Sequence, residues 1–241
     1  MNDTVPPSRA AILLVQLGTP DKPEVPEVRR YLREFLSDRR VVEQSPLIWW
    51  PILYSVVLTR RPKESAEKYR SIWTKAGSPL LVNTKLVAEA LQDELNKRGR
   101  QVEVVWAMRY GNPSMADALR DLRDRGFSRI VVLPMYPQYS AATSGTVFDV
   151  IAREFLKWRS IPALRFLQSF HDDPGYIAAV AESIRHSWRQ SEAGKPEKLI
   201  FSFHGLPQSC VDQGDPYVKQ CQESAALIAA ALGLAKEDWL V

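Results

Sequence analysis

Short, largely apolar runs alternate with amphipathic stretches along this chain, and that alternation restricts the fold more than any other feature. The runs Ala11–Leu17 (AILLVQL), Val102–Met108 (VEVVWAM), Arg129–Met135 (RIVVLPM) and Lys198–Phe203 (KLIFSF) read as strands, with a shorter one at Ala163–Gln168. A strand apolar on both faces must be covered on both faces, which is the habit of parallel sheets flanked by helices. The stretches between have helical character. Val25–Leu36, Thr146–Trp158, Pro174–Gln190 and Pro216–Leu232 read as helices, and Pro79–Arg98 carries Leu80, Val87, Leu91 and Leu95 on one stripe. Ser114–Arg125 opens on a serine cap and closes at Gly126. The fold class is therefore α/β, a doubly wound parallel sheet.

A break at Gln168–Pro174 (QSFHDDP) separates a first domain, residues 1–170, from a second, residues 171–241. The second holds one clear strand, and one strand is not a sheet. Either it extends the first sheet, or the chain stops before a second domain is complete. The final KEDWLV reads as the start of another strand and favours the second option.

With 45% hydrophobic and 25% charged residues, the composition is that of a globular protein. The net charge of +4 is a mild basic bias, suited to an anionic small molecule or membrane surface. Neither a Lys/Arg cluster nor a zinc-finger spacing points to nucleic acid. Two cysteines, Cys210 and Cys221, make no disulfide framework, and two ligands are too few for a structural zinc or cluster site. The start, MNDTVPPSRA, lacks the pattern of a signal peptide, so a cytoplasmic location is expected. The longest apolar run, Pro46–Leu58 (PLIWWPILYSVVL), is too short to span a bilayer, which needs about 20 residues. Pro51 divides it, so one uninterrupted helix is not expected. Trp49 and Trp50, followed by Arg60 and Arg61, suit a membrane interface or the mouth of a flat apolar site; a hairpin covering the core is the other reading.

Open parallel sheets bind ligands beyond the carboxyl ends of their strands. Gly18-Thr19-Pro20 follow the first run, Arg109-Tyr110-Gly111-Asn112-Pro113 the second, and Tyr136-Pro137-Gln138-Tyr139-Ser140 with Thr143-Ser144-Gly145 the third. His171 follows Ala163–Gln168, and His204-Gly205-Leu206-Pro207 follow Lys198–Phe203. His204 is the sharpest candidate, because an imidazole at a strand end can accept a proton near neutral pH or ligate a transition metal. The alternative is a histidine bonded to a backbone carbonyl. His171, before Asp172-Asp173-Pro174, reads as a capping or loop residue, and His186 as a solvated one. Arg109 and Tyr110 could clamp a carboxylate and stack on a ring, or Arg109 could pair with an acidic neighbour. Tyr136 and Tyr139 could form a rigid wall or simply pack. Thr143-Ser144-Gly145 could seat an anion at a helix start. No phosphate loop and no G-x-G-x-x-G is present, so nucleotide binding is not supported.

These strand ends carry motifs in a telling order: LVQLGTPDKPEVPEVRRYLREFLSD, RRP…YRSIW…GSPL, AMRYGNPSM, VLPMYPQYSAATSGTVFD, FSFHGLP and DPYVKQC. Together they cover nearly the whole chain and resemble the ferrochelatase family, bacterial type. The resemblance implies two Rossmann-like domains of chelatase type with a porphyrin cleft, the second incomplete here. It implies insertion of Fe²⁺ into protoporphyrin IX, the last step of haem biosynthesis, by a lyase. His204 matches the active-site histidine, assigned to iron binding, pyrrole proton removal, or both. Leu17 matches a residue facing the macrocycle, and Arg109 and Tyr110 match pocket residues. Tyr136, Gln138, Tyr139, Ser140 and Thr143 match the loop lining the cleft, while Arg60, Arg61 and Ser78 match positions that meet propionates. Residues 46–61, with Trp49 and Trp50, fall in an apolar lip implying peripheral contact with the inner face of the membrane.

Porphyrin and Fe²⁺ are substrates in this reading, with no bound cofactor. Some relatives hold an iron–sulfur cluster through a cysteine where this chain has Ala141, so no cluster is expected. The family's C-terminal acidic residue lies beyond this chain, which predicts a fragment or a truncated gene product. Coproporphyrin or another tetrapyrrole as substrate, and a non-catalytic porphyrin-binding fragment, are the alternatives.

Overall fold

A computed structural model describes residues 9–192 and 194–241. The start of the chain, read above for a leader, falls mostly outside the described residues. The chain divides into two units. One takes the chain up to Met135 together with Ala141–Leu167, and the other takes Tyr136–Ser140 together with Gln168–Val241.

The first unit is built on a four-stranded parallel sheet in the order β2-β1-β3-β4, comprising β1 (Ala10–Thr19), β2 (Val102–Gly111), β3 (Arg129–Pro134) and β4 (Ala163–Phe166). The central strand β1 has Ala11, Leu13, Leu14 and Val15 in the core, as its two-sided apolarity requires. Leu14 pairs with Trp106 on one side and Leu133 on the other. The chain moves from β1 to β2 in one direction, then crosses back over β1 to β3. Right-handed crossovers place the helices of these two moves on opposite faces, which makes the sheet doubly wound. The reversal occurs between β1 and β3.

Helices α1 (Val25–Leu36) and α7 (Pro174–Gln190) have the boundaries expected from periodicity, and α4 (Pro79–Lys97) ends one residue earlier than expected. For α5 (Met115–Asp124), the Ser114 hydroxyl accepts from the Asp117 amide at 3.2 Å, and Gly126 closes the helix at φ +77°. α6 (Thr146–Phe155) stops three residues short of the expected end. It is extended backwards by a π-helical turn, Ala141–Gly145. Gly145 and Thr146 therefore sit inside a helical run, and the helix start that could have seated an anion does not occur there.

The apolar run at 46–58 is not one uninterrupted α-helix, but the break falls just after Pro51 and not at it, and no hairpin forms. Helix α2 (Pro46–Ile52) contains Pro51, a π-helical turn follows at Leu53–Val57, and α3 (Leu58–Ile72) continues. Proline cannot supply its amide to the ladder, and a widened turn directly after it absorbs the mismatch. Leu53 and Leu58 are buried, whereas Leu47, Ile48, Trp50, Ile52, Tyr54 and Val56 face solvent.

In the second unit, β5 (Leu199–Ile200) pairs in parallel with β6 (Trp239–Leu240) as a separate two-stranded sheet. The strand expected at Lys198–Phe203 is cut to two residues because a ladder is only as long as its partner, although Phe201 still donates to the Leu240 carbonyl. The final segment is a 3₁₀ turn, Lys236–Asp238, leading into β6. Helix α7 packs against α9 (Tyr217–Leu232), and a short α8 (Gln208–Asp212) lies between β5 and α9 in the chain.

Candidate functional site

At the ends of β1 and β2 in the first unit, two glycines allow the strands to approach. Gly18 has φ +116°, and a Cβ there would lie 1.7 Å from the Tyr110 carbonyl oxygen. The mirror relation holds at Gly111, where a Cβ would meet the Thr19 carbonyl oxygen at 2.7 Å. No side chain fits either position, so these glycines fix how closely the paired strand ends approach. Leu17 is half-buried beside them, its amide held by Gln16 Oε1 at 3.0 Å.

Arg109 and Tyr110 end β2, and both are buried. The Arg109 guanidinium donates to Asp38 through Nη2 and to the Thr146 carbonyl through Nε at 2.9 Å. The Tyr110 hydroxyl donates to the same Asp38 oxygen at 3.0 Å, and the guanidinium lies 4.2 Å over the tyrosine ring. Of the two readings open at Arg109, the structure takes the ion pair with an acidic neighbour. Burial raises the Tyr110 pKa well above the ordinary range, with Arg109 opposing the shift. Asp38 went unnoticed in the sequence, since nothing in a 71-residue separation links it to Arg109. A cavity of about 710 Å³ brings Arg109, Tyr110 and Trp50 together with Asp38, Arg40 and Leu156. Arg60 and Arg61 are exposed early in α3, and Ser78 is buried at the cap position of α4. Thr143 lies in the π-helical turn, where its carbonyl accepts from the Thr146 hydroxyl at 2.8 Å. Trp49 donates through Nε1 to the Leu36 carbonyl at 2.7 Å, while Trp50 is 55% exposed.

The loop after β3 belongs to the second unit and is tied to α9. The Gln138 amide donates to Ser224 Oγ at 2.9 Å, and the Tyr139 N–H to Gln220 Oε1 at 2.7 Å. Ser140 Oγ bonds Asp215 at 2.9 Å, and Phe170 donates to the Pro137 carbonyl. Gln138, Tyr139 and Ser140 are therefore held rigidly by partners that sequence reasoning missed. Ser224 in turn donates to the His171 carbonyl at 2.8 Å, and His171 Nε2 meets Glu223 at 2.9 Å. His171 is thus a loop-fixing residue. Asp173, not His171, caps α7 by accepting from the Tyr176 amide at 3.0 Å. His186 is exposed, as expected.

His204 follows β5 and is exposed. Its Nδ1 lies 2.7 Å from the Gly205 carbonyl oxygen. A carbonyl only accepts, so Nδ1 carries a proton, and Nε2 is the ring nitrogen left to bind a proton or a metal. The His204 backbone also bonds the Tyr217 hydroxyl, which neighbours the buried Cys221 thiol. Burial, with Cys221 beside it, pushes the Tyr217 pKa up to about 12, and burial raises the Cys221 thiol as well. Among the described residues, no three His, Cys, Asp or Glu side chains converge to hold a metal ion.

The fold is that of a doubly wound α/β protein, with the candidate residues Leu17, Arg109, Tyr110 and His204 at or just beyond the ends of parallel strands. The chain matches the Ferrochelatase family over residues 9–241. It is 53% identical over 234 residues to a ferrochelatase of Methylococcus capsulatus, covering 97% of this chain and 70% of that protein. It is 50% identical to a ferrochelatase of Aromatoleum aromaticum, covering 97% and 64%, and 47% identical to ferrochelatase 2 of Shewanella oneidensis, covering 97% and 71%. The chain belongs to the ferrochelatase family and spans about two thirds of the length of these relatives.

Proposed function

We propose that this chain carries out, or supplies most of the machinery for, the insertion of Fe²⁺ into protoporphyrin IX, with His204 as its central residue. The observation that carries the reading is the imidazole itself: exposed directly after β5, with Nδ1 engaged by the Gly205 carbonyl so that Nε2 is the nitrogen left for a proton or a metal. Insertion releases two pyrrole protons, so a base is needed at the ring face. It also replaces water around Fe²⁺, and a nitrogen donor suits that metal. One lone pair cannot hold a proton and an iron ion at once. His204 therefore performs these tasks in succession if it performs both.

The remaining roles are those the family resemblance implies, and the chemistry of each residue suits them. Arg60 and Arg61 are exposed cations suited to propionates, with Ser78 as a further donor. Leu17 offers an apolar face to the macrocycle. Tyr136, Gln138, Tyr139 and Ser140 would line the macrocycle from a loop that is tied down through its last three residues, and a stiff loop can hold a bent macrocycle at low entropic cost. Thr143, in the π-helical turn of the first unit, is a further candidate contact. With its guanidinium engaged by Asp38, Arg109 shapes the end of β2 with Tyr110 instead of clamping a carboxylate. No resident cofactor enters this reading. Ala141 replaces the cysteine that a cluster would need, and anaerobically purified protein is expected to lack iron–sulfur absorbance.

No described helix is long and apolar enough to cross a membrane. The exposed apolar face at Leu47, Ile48 and Trp50 supports peripheral contact with a membrane, where a poorly soluble porphyrin would be found. The test of the central reading is anaerobic ferrous insertion, followed by porphyrin absorbance, for the chain and for His204→Ala. Loss of insertion by roughly 10²–10⁴-fold in the variant is the expected result. Insertion unchanged by the substitution would remove His204 from the chemistry. Running coproporphyrin in parallel tests the choice of tetrapyrrole.

A further inference from the structure

A small cavity of about 170 Å³, enough for about six waters at the liquid density, lies at the ends of β1 and β2 against α1. Most of its polar atoms are already engaged with one another. Asp21 accepts from Arg30 at 2.7 Å and from the Asn112 amide at 3.0 Å, and Glu34 accepts from the Gly111 N–H at 2.9 Å. Ser114 is spent on Asp117. Two oxygens are left over: Thr19 Oγ1 and Glu27 Oε2 are both buried and without a hydrogen-bond partner among the described residues. Thr19 as a whole is 3% exposed.

A buried carboxylate oxygen without a partner is costly, and such groups recruit protons, cations or ordered water. Three carboxylates line this cavity against the single guanidinium of Arg30, which Asp21 engages. The amide end of α1 offsets part of the Glu27 charge but leaves the excess of carboxylates. Both unpartnered atoms are hard oxygens, and no thiol or imidazole lines the cavity. Cations that keep most of their water are held by one or two carboxylates, so three converging acids are not needed.

We propose that this cavity binds a hydrated, oxygen-preferring divalent cation through Glu27 and Thr19. The site is separate from the groups assigned to iron insertion and requires neither His204 nor a porphyrin. Its occupation would brace the paired ends of β1 and β2, because Thr19 and Gly111 belong to both the cavity and the glycine-dependent close approach.

Mn²⁺ is the probe, titrated into the full chain and followed by electron paramagnetic resonance. Saturable binding is expected, weakened roughly 10–100-fold or more in Glu27→Gln and in Thr19→Val, unchanged in His204→Ala, and competed by excess Mg²⁺. A wild-type measurement guards against variants that fail to fold. Substoichiometric Mn²⁺ should broaden the amide resonances of Thr19, Glu27 and Gly111 before others. Absence of saturable binding, full affinity in Glu27→Gln, or broadening centred elsewhere would overturn the proposal and leave a cavity filled by water alone.

Discussion

Asp38 and Arg109 illustrate what a buried charge pair requires. Their side chains are 9% and 8% exposed, and the Tyr110 hydroxyl adds a third member. Removing one partner strands the other charge away from water, which costs about 3–5 kcal/mol. Asp38→Ala should therefore lower the urea midpoint sharply, and the double variant Asp38→Leu/Arg109→Met should recover much of the loss. His204 behaves in the opposite way. Because it is exposed and bonds only its own neighbour through the ring, His204→Ala should leave the melting temperature nearly unchanged while iron insertion falls. Tyr217 sets an alkaline limit. Its pKa rises from 10.0 to about 12 on folding, so the folded state keeps a proton that the unfolded chain gives up. Stability from this group is complete below pH about 10 and declines as pH rises towards about 12. In Tyr217→Phe the stability lost between those pH values should shrink, as read from denaturation curves across the range. His204 and the strand-end residues were legible because they follow apolar runs directly. Asp38, Ser224, Gln220 and Asp215 were not, because their importance lies in pairings across long separations that no local pattern encodes.

Among elements, the exposed segment α2 is the least explained by the core. It leaves Leu47 88% and Ile48 60% exposed, although Trp49 is anchored to α1. If this face meets a membrane, Leu47→Glu/Trp50→Glu should reduce cosedimentation with anionic vesicles without changing the melting temperature. Such a change in the α5 cap would act differently. Ser114→Ala removes an acceptor from the first turn and should cost about 1 kcal/mol, measured by urea denaturation, with vesicle binding unaffected. The helices with regular stripes and clear caps had been readable almost to the residue. Misreading fell where local chemistry competes with context. Pro51 signals an interruption, but the interruption moved into the π-helical turn after it. Lys198–Phe203 has strand composition, but its length is set by β6, whose two paired residues lie about forty positions further on.

For the whole molecule, the alternation of apolar runs announced the parallel sheet and its helical cover. Strand order was beyond its reach, since parallel pairing joins residues as distant as Ala10 and Val102 or Arg129. The division of the chain was also only partly legible. A break near Gln168 is visible in QSFHDDP, but nothing in Tyr136–Ser140 marks it as part of the second unit. Its allegiance rests on Gln138, Tyr139 and Ser140 finding partners on or just before α9.

That short loop makes the boundary between the units a matter of threading and not of cutting. The backbone passes from one unit to the other after Met135, returns after Ser140, and leaves again after Leu167. No single scission can separate two whole modules. A piece starting at Gln168 would leave Ser224, Gln220 and Asp215 without the groups they hold, while the remainder would carry an orphaned loop. The second unit is therefore not a portable cassette. Gene rearrangements that swap contiguous segments would break it, and its residues are bound to be inherited together with those of the first.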